Sequence, residues 1–153
     1  MAPQTFEQYL ESQQINFRRI EHPPAYSAQE TAAAAHVPGR EFAKTVIVKV
    51  DGELVMLVLT AAERVDFDML RVLTRAKNVE LASEKEIREI SPESELGAMP
   101  PFGNLYGIPV LVSPEIACDR EIAFNAGSHT ELIRLSFDDY RRLVRPQVVE
   151  FTQ

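Results

Sequence analysis

Residues 45–60, TVIVKV-DG-ELVMLVLT, constrain the fold more strongly than any other stretch of the sequence. Two runs rich in β-branched and aliphatic residues flank Asp51-Gly52, a dipeptide that accepts the positive φ angles of a two-residue hairpin turn. The second run, residues 53–60, is almost wholly apolar, which is typical of a strand that is covered on both faces. The sequence therefore predicts a β-hairpin whose second strand is buried.

Two lysines mark the first strand of this hairpin. Lys49 alternates with valines and is predicted to face solvent, as the polar residues of a half-buried strand do. Lys44 instead stands where the preceding loop becomes a strand, close to the end of the second strand near Thr60. The pattern alone favours an ordinary solvated charge at a strand end, and it leaves open a local cationic site for a phosphate.

The rest of the chain alternates between helical and extended patterns. Helices are predicted over 5–14, 27–39, 66–76, 83–90 and 136–144, and further strands over 15–22, 110–116, 120–127 and 130–136. No internal repeat or long linker divides the chain, so we expect one domain over residues 1–153. A hairpin with interspersed helices predicts an α+β fold that contains a mixed β-sheet.

Composition narrows the class of protein. The chain has 153 residues, long enough to bury a core without disulfides or metals. Sixteen basic and 23 acidic residues give a net charge of −7, which argues against broad phosphate neutralisation of the kind that DNA-binding proteins use.

No basic leader and no apolar run of about 18 residues is present, so we expect a cytoplasmic protein with no membrane partner. Cys118 is the only cysteine, and we expect it to be buried and inert.

Two loops contain glycines between predicted elements. Residues 91–109, SPESELGAMPPFGNLYGIP, are too rich in glycine and proline for a regular element and too apolar for a mobile linker. Residues 125–129, NAGSH, interrupt two predicted strands. The pattern alone permits either rigid connections or functional loops at both positions.

Conventional catalytic patterns are weak in this chain. No two of His22, His36 and His129 stand three or four residues apart, so a metal site is not predicted. Ser128 precedes His129, and a serine nucleophile with a histidine base is one alternative. Adjacent side chains on an extended chain point apart, however, so that pair would require a turn that reorients it.

Three segments in fixed order, 42–59 (FAKTVIVKVDGELVMLVL), 96–116 (LGAMPPFGNLYGIPVLVSPEI) and 121–140 (EIAFNAGSHTELIRLSFDDY), resemble the YbaK family of aminoacyl-tRNA deacylases. That family is homologous to the editing (insertion) domain of bacterial prolyl-tRNA synthetases. The resemblance implies a mixed, partly barrel-like sheet surrounded by helices. It also implies an enzyme without cofactor or metal that hydrolyses the ester between a wrong amino acid and the terminal adenosine of a tRNA.

The resemblance assigns the catalytic roles to four positions. Lys44 matches the key lysine of the family and is expected to contact a backbone phosphate at the tRNA 3′ end, which places the ester. Gly97 and Pro101 match a G-x-x-x-P loop that lines the aminoacyl pocket. Gly127 matches a second loop at the same pocket, where backbone N–H groups can stabilise a developing oxyanion.

Substrate contacts follow from the same resemblance. Ser128 and His129 belong to the second loop, and Met99 and Phe102 are expected wall residues of the pocket. The MPPFG sequence resembles the branch of the family that includes deacylases of the Ala-tRNA(Pro) type. The expected partner is the acceptor end of a mischarged tRNA, and a synthetase is a second candidate.

Two alternatives to the deacylase stay open. The chain could be a non-catalytic module that binds a tRNA end or a synthetase. It could also be a small-molecule hydrolase that uses Ser128 and His129.

Overall fold

The computed structural model describes residues 5–153, which form two β-sheets with helices around them. The helices are α1 (Phe6–Ser12), α2 (Ala28–Ala34), α3 (Phe67–Thr74), α4 (Glu84–Ile90), α5 (Pro114–Ala117) and α6 (Phe137–Val144). The strands are β1 (Phe17–Glu21), β2 (Ala43–Val50), β3 (Glu53–Thr60), β4 (Val79–Leu81), β5 (Val110–Val112), β6 (Glu121–Asn125), β7 (Glu131–Ser136) and β8 (Gln147–Val148). The α+β class predicted from the sequence is confirmed.

The larger sheet is mixed, with strand order β4-β2-β3-β5-β8. Strand β2 pairs antiparallel with β3 and β4, whereas β5 runs parallel to β3 and β8. The smaller sheet is antiparallel, with order β1-β7-β6. A parallel bridge between Phe42 and Ala123 joins the start of β2 to the middle of β6. Neither sheet closes into a barrel within residues 5–153.

The hairpin predicted at Asp51-Gly52 is confirmed. Val50 pairs with Glu53 across the turn, and the φ angles of Asp51 and Gly52 are 49° and 86°. The carboxylate of Asp51 accepts N–H groups of the segment before β4, including that of Asn78 at 2.9 Å. The turn therefore also positions the neighbouring edge strand.

Burial of β3 on both faces is also confirmed. From Met56 onward every residue of the strand is buried. Met56 and Val58 pack into the main core, whereas Leu57 and Leu59 pack on the other face in a core that includes Leu70 of α3. The hairpin is therefore the layer between two cores.

Each helix begins after a side chain that accepts a backbone N–H from the first turn. These capping residues are Thr5, Ser27, Asp66, Ser83, Ser113 and Ser136. Helix α2 ends before residue 39, its predicted limit, because His36 adopts a φ of 57° and the N–H of Val37 returns to the carbonyl of Ala32. No helix within residues 5–153 is long and apolar enough to cross a bilayer.

Several sequence predictions differ from the structure. Residues 110–116 do not form one strand, because Ser113-Pro114 ends β5 and starts the short helix α5. Cys118 follows that helix and is exposed, so the expectation of a buried thiol is wrong. The side chain of Lys49 is only 26% exposed and pairs with Glu80 and Glu86 at 3.5 and 3.4 Å, so it faces an acidic surface rather than open solvent.

Candidate functional site

Lys44 lies at the start of β2, opposite Leu59 of β3. Its ammonium donates hydrogen bonds to the carbonyls of Ala61 (3.2 Å) and Glu63 (2.6 Å), in the loop that follows β3. Partial burial is the main cause that lowers the pKa of Lys44; the carboxylate of Glu63 opposes this shift and the guanidinium of Arg64 adds to it. An ammonium has three N–H groups, so one donor remains for an acceptor from outside the protein.

The carboxylate of Glu63 organises the loop on which Lys44 rests. One oxygen accepts hydrogen bonds from the N–H of Thr60 (2.9 Å) and the hydroxyl of Ser113 (2.8 Å), and the other accepts from the hydroxyl of Thr152 (3.0 Å). These bonds connect the end of β3, the start of α5 and the C-terminal segment. Because Glu63 also provides a carbonyl to Lys44, its side chain fixes the position of the ammonium.

The two glycine-containing loops contact each other. Gly127 donates its N–H to the carbonyl of Ala98, and its carbonyl accepts the N–H of Glu95, both at 2.8 Å. The φ angles of Gly97 and Gly127 are 86° and 107°, a region that L side chains rarely adopt. We call residues 95–98 and 127–129 together the loop junction.

His129 closes the loop junction. Its N–H donates to the carboxylate of Glu95 (3.1 Å), and its Nε2 lies 2.7 Å from the carbonyl oxygen of Leu96. A carbonyl can only accept, so Nε2 carries a proton. Nδ1 is buried and has no hydrogen-bond partner within residues 5–153. A Cβ added at Gly97 would lie 3.5 Å from His129 Cε1, an ordinary contact, so the φ of 86° rather than the space beside His129 favours glycine at this position.

Ser128 and His129 do not form a hydrogen-bonded dyad. The hydroxyl of Ser128 lies 3.4 Å from that of Thr130, while the ring of His129 bonds to Leu96. This agrees with the sequence argument that the two side chains point apart. Across the residues that the structure describes, no three His, Cys, Asp or Glu side chains gather as a metal site would require.

Three backbone donors of the loop junction, the N–H groups of Leu96, Gly97 and Ser128, have no acceptor within residues 5–153. Gly97 and Ser128 lie in different loops, which the reciprocal bonds of Gly127 join. Backbone N–H groups on fixed loops are the kind of donors that stabilise an oxyanion during acyl transfer.

Pro101, Met99 and Phe102 support the loop from the core. The carbonyl of Pro101 accepts a hydrogen bond from the fully buried hydroxyl of Tyr140 (2.7 Å), and burial raises the pKa of Tyr140, which favours the protonated donor. Phe102 is buried, with its ring centroid 4.9 Å from that of Phe6 and 5.2 Å from that of Tyr140. Met99 is 5% exposed. These contacts anchor the loop to the core.

A cavity of about 800 Å³ opens beside the loop junction, between α1 and residues 90–106. Among the residues predicted as site residues, its lining includes Gly127 but not Lys44. Its polar groups include Glu93, whose carboxylate lies 3.4 Å from the hydroxyl of Tyr106. The cavity therefore does not unite the predicted site residues; the hydrogen bonds of the loop junction bring Gly97, Gly127 and His129 together.

Comparison with known proteins identifies the family. The model of the aminoacyl-tRNA editing domain family matches residues 22–143, well over half of the chain. The chain belongs to the aminoacyl-tRNA editing domain family. Membership confirms the prediction of an aminoacyl-tRNA deacylase that was made from the motifs around Lys44 and the two loops.

Individual relatives agree with this assignment. The multifunctional Ser/Thr-tRNA deacylase ProXp-y of Escherichia coli is 28% identical over 148 residues, which cover 93% of this chain and 87% of that protein. The proline–tRNA ligase of Staphylococcus saprophyticus is 34% identical over 82 residues, 54% of this chain and 14% of the ligase. The solved structure of a candidate trans-editing enzyme for prolyl tRNA synthetase has a TM-score of 0.85 at 18% identity and covers 100% of this chain and 99% of its own. This last match shows that the chain has the same fold as that solved structure.

Sequence reasoning missed three residues that contact the predicted site of the editing domain. Glu63 fixes the loop that binds Lys44, and Glu95 bonds to the N–H of His129. Tyr26 packs over His129, with ring centroids 4.9 Å apart. Glu95 lies in a loop that the sequence singled out, but Glu63 and Tyr26 have no pattern that distinguishes them from surface residues.

Proposed function

We propose that this editing domain acts in trans in the cytoplasm, as one domain over residues 1–153, on a tRNA that carries a wrong amino acid. It hydrolyses the ester between the amino acid and the terminal adenosine. The observation that supports this most strongly is the loop junction, where Gly97 and Ser128 present N–H groups without acceptors beside His129. Family membership gives the substrate class, aminoacyl-tRNA.

Lys44 binds a backbone phosphate near the tRNA 3′ end in this proposal. Two of its three N–H groups are already directed by the carbonyls of Ala61 and Glu63, which leaves the third oriented before the substrate arrives. An ammonium is a compact charge suited to a phosphate oxygen. Its role is to place the ester, and it takes no part in bond breaking.

The chemical step is the attack of a water molecule on the ester carbonyl. The oxyanion that develops accepts hydrogen bonds from the N–H groups of Gly97 and Ser128, and Gly127 keeps both loops in register. The bond from the carbonyl carbon to the ribose oxygen then breaks, water becomes part of the carboxyl group, and the ribose oxygen takes a proton. The resemblance to the deacylase family supports a neighbouring ribose hydroxyl as the group that orients the water.

The amino acid side chain is proposed to lie against the loop that Met99, Pro101 and Phe102 support, with His129 and Ser128 opposite. One methylene group contributes only about 1–3 kcal/mol to discrimination, so a pocket that selects by size has to be rigid. The buried anchors of Pro101 and Phe102 supply that rigidity. We favour a small side chain, as in Ala-tRNA(Pro); the name of the Escherichia coli relative makes serine and threonine the main competitors.

A deacylation screen tests this function. tRNA(Pro) charged with alanine, serine, threonine, cysteine or proline is incubated with the protein, and loss of the ester is followed over time. We expect the alanyl ester to be hydrolysed fastest and the prolyl ester to be spared. Binding of these tRNAs without hydrolysis of any ester would contradict a deacylase and support the non-catalytic module.

The Ser128→Ala variant separates this mechanism from a serine hydrolase. Alanine keeps the backbone N–H at position 128 and removes only the hydroxyl, so most of the deacylation rate should remain. Complete loss of activity, with an unchanged melting temperature, would instead support a serine nucleophile.

A further inference from the structure

Tyr26 covers the outer side of the loop junction. Its ring centroid lies 4.9 Å from that of His129, at an interplanar angle of 54°. The residue is nevertheless 73% exposed, whereas His129 is only 8% exposed. The tyrosine ring therefore contacts the histidine at a tilt and leaves most of its own surface open to solvent. An exposed aromatic side chain alone needs no explanation, but this one lies at the rim of the proposed ester-binding loops.

The backbone of Tyr26 is fixed relative to the loop junction. The N–H of His22 donates to the carbonyl of Thr130 (2.9 Å), and the N–H of Ala25 donates to the carbonyl of His129 (3.4 Å). Two prolines lie between these bonds, and their restricted φ angles stiffen the segment. The tyrosine ring is thus placed before any ligand binds, which lowers the entropic cost of a contact to it.

We propose that Tyr26 is the stacking surface for the adenine base of the terminal tRNA nucleotide. This inference rests on the proposed function, because the ribose that carries the ester also carries that base. If the ester carbonyl lies at the N–H groups of Gly97 and Ser128, the adenine lies one sugar away, at the rim of the loop junction. The exposed ring of Tyr26 is an aromatic surface at that rim.

Stacking also fits the charge of the protein. A net charge of −7 leaves little capacity for broad phosphate contacts, whereas base–aromatic stacking supplies affinity without charge. Every tRNA ends in the same nucleotide, so a stacking contact to it serves any mischarged tRNA. Tyr26 would then be a positioning residue that orients the ribose while Lys44 binds the phosphate.

A binding cycle that combines protein and RNA changes tests the proposal. The probes are an uncharged tRNA acceptor minihelix with its 3′-terminal adenosine and the same RNA with an abasic ribose at that position. The proteins are the natural sequence, Tyr26→Ala and Tyr26→Phe. Val72→Ala is the matched control, because Val72 is a similarly exposed apolar residue, 79% exposed, on α3.

For the natural protein, removal of the base should weaken binding by about tenfold, within a range of roughly 5- to 150-fold for one stacked base. Tyr26→Ala should bind the complete minihelix more weakly by a similar factor and should not distinguish the two RNAs. Tyr26→Phe retains the ring, so it and Val72→Ala should behave as the natural protein does. Because stacking involves no ion pair, Tyr26→Ala should keep the salt dependence of the natural protein.

Two outcomes overturn the stacking proposal: an equal loss on base removal in Tyr26→Ala and the natural protein, or no loss in either. Both are distinguishable from failure of the proposed function, since the cycle uses uncharged RNA and requires no hydrolysis. A protein that shows the Tyr26-dependent preference for the base but hydrolyses no ester would support stacking and contradict the deacylase.

The chain has four tyrosines and no tryptophan, so quenching of tyrosine fluorescence by the complete minihelix, absent in Tyr26→Ala, is a direct spectroscopic signature.

Discussion

Lys44 and Lys49 lie five residues apart on β2 and have different partners. Lys49 pairs with the carboxylates of Glu80 and Glu86. Lys44 donates instead to the carbonyls of Ala61 and Glu63, and the Glu63 carboxylate acts on its ammonium only through space. A carbonyl orients an ammonium without forming an ion pair, so Lys44 can still pair with an anion. The difference between the two residues is therefore their partners rather than their exposure.

The lowered pKa of Lys44 predicts how binding depends on pH. Burial disfavours the charged form, so tRNA binding should weaken as the pH rises through a value below the ordinary 10.5 of lysine. The same burial costs stability while the lysine is charged, and this cost disappears as the pH rises from the folded pKa towards 10.5. Binding should be measured with uncharged tRNA, because alkali hydrolyses the ester of an aminoacyl-tRNA. Lys44→Arg stays charged and should lack the transition; an identical transition in that variant would contradict the assignment.

Glu63→Gln should destabilise the protein and disturb Lys44. The carboxylate accepts three hydrogen bonds, and a glutamine presents its NH₂ group to at least one of these donors. Leaving a buried donor unsatisfied costs about 1–3 kcal/mol. We expect a lower melting temperature and a reduced deacylation rate. Glu80→Gln, which removes a surface ion pair with Lys49, is the control and should leave the melting temperature nearly unchanged, because surface ion pairs contribute little to stability. Equal melting of Glu63→Gln and the natural protein would contradict the role of this carboxylate.

At the scale of elements, the loop that contains Gly97 depends on α6. The carbonyl of Pro101 bonds to the hydroxyl of Tyr140 in the core, and Phe102 packs on the ring of the same tyrosine. The loop is thus fixed at its base by one helix and at its tip by Gly127. Its geometry follows from packing rather than from its own sequence.

Tyr140→Phe tests this anchoring. The variant keeps the ring and removes the donor to Pro101, which leaves a buried carbonyl unsatisfied at a cost of about 1–3 kcal/mol. We expect a lower melting temperature together with slower deacylation, measured at a temperature where the variant is fully folded. Tyr9→Phe is the control, because the hydroxyl of Tyr9 accepts only an exposed hydrogen bond from Asn104. Full activity of Tyr140→Phe would show that the loop needs no anchor in α6.

Elements with a local signal were predicted from the sequence, and the shortest elements, which have none, were not. A hairpin turn and a helix cap depend only on residues a few positions apart, so the sequence alone predicts them. The turn at Asp51-Gly52 and the caps Ser27, Ser83 and Ser136 are of this kind. Strand β4 has three residues and β8 has two. They form by pairing with a neighbouring strand, β4 with β2 and β8 with β5. Helix α5 was missed because its cap, Ser113, stands inside an apolar run.

The site follows the same division. Resemblance predicted Lys44, Gly97 and Gly127 as site residues, because their motifs are local. The partners that fix them are distant in sequence: the carboxylate of Glu63 bonds to Thr152, 89 residues away. No periodicity relates such positions, so only the folded chain shows their contact. The roles of these residues and of the substrate contacts, including Met99 and Phe102, stay predictions.

At the scale of the whole molecule, the net charge of −7 predicts a shallow dependence of tRNA binding on salt. Each neutralised phosphate contributes a slope of about 0.7–0.9 to the dependence of log K on log salt concentration. With Lys44 as the main phosphate contact, the slope should be close to −1, and Lys44→Ala should reduce its magnitude by about 1. Binding measured between low and physiological salt gives this value. A steep slope that Lys44→Ala leaves unchanged would place the phosphate contacts elsewhere.

The most direct test of the account is the deacylation rate of Lys44→Ala on the mischarged tRNA that the natural protein hydrolyses fastest. Misplacement of a reacting group by about 1 Å costs on the order of a hundredfold in rate, so kcat/KM should fall by about that factor while the melting temperature is unchanged or higher. Lys49→Ala, on the same strand, should retain the natural rate. If Lys44→Ala deacylates as fast as the natural protein, Lys44 does not place the ester and the central claim is wrong.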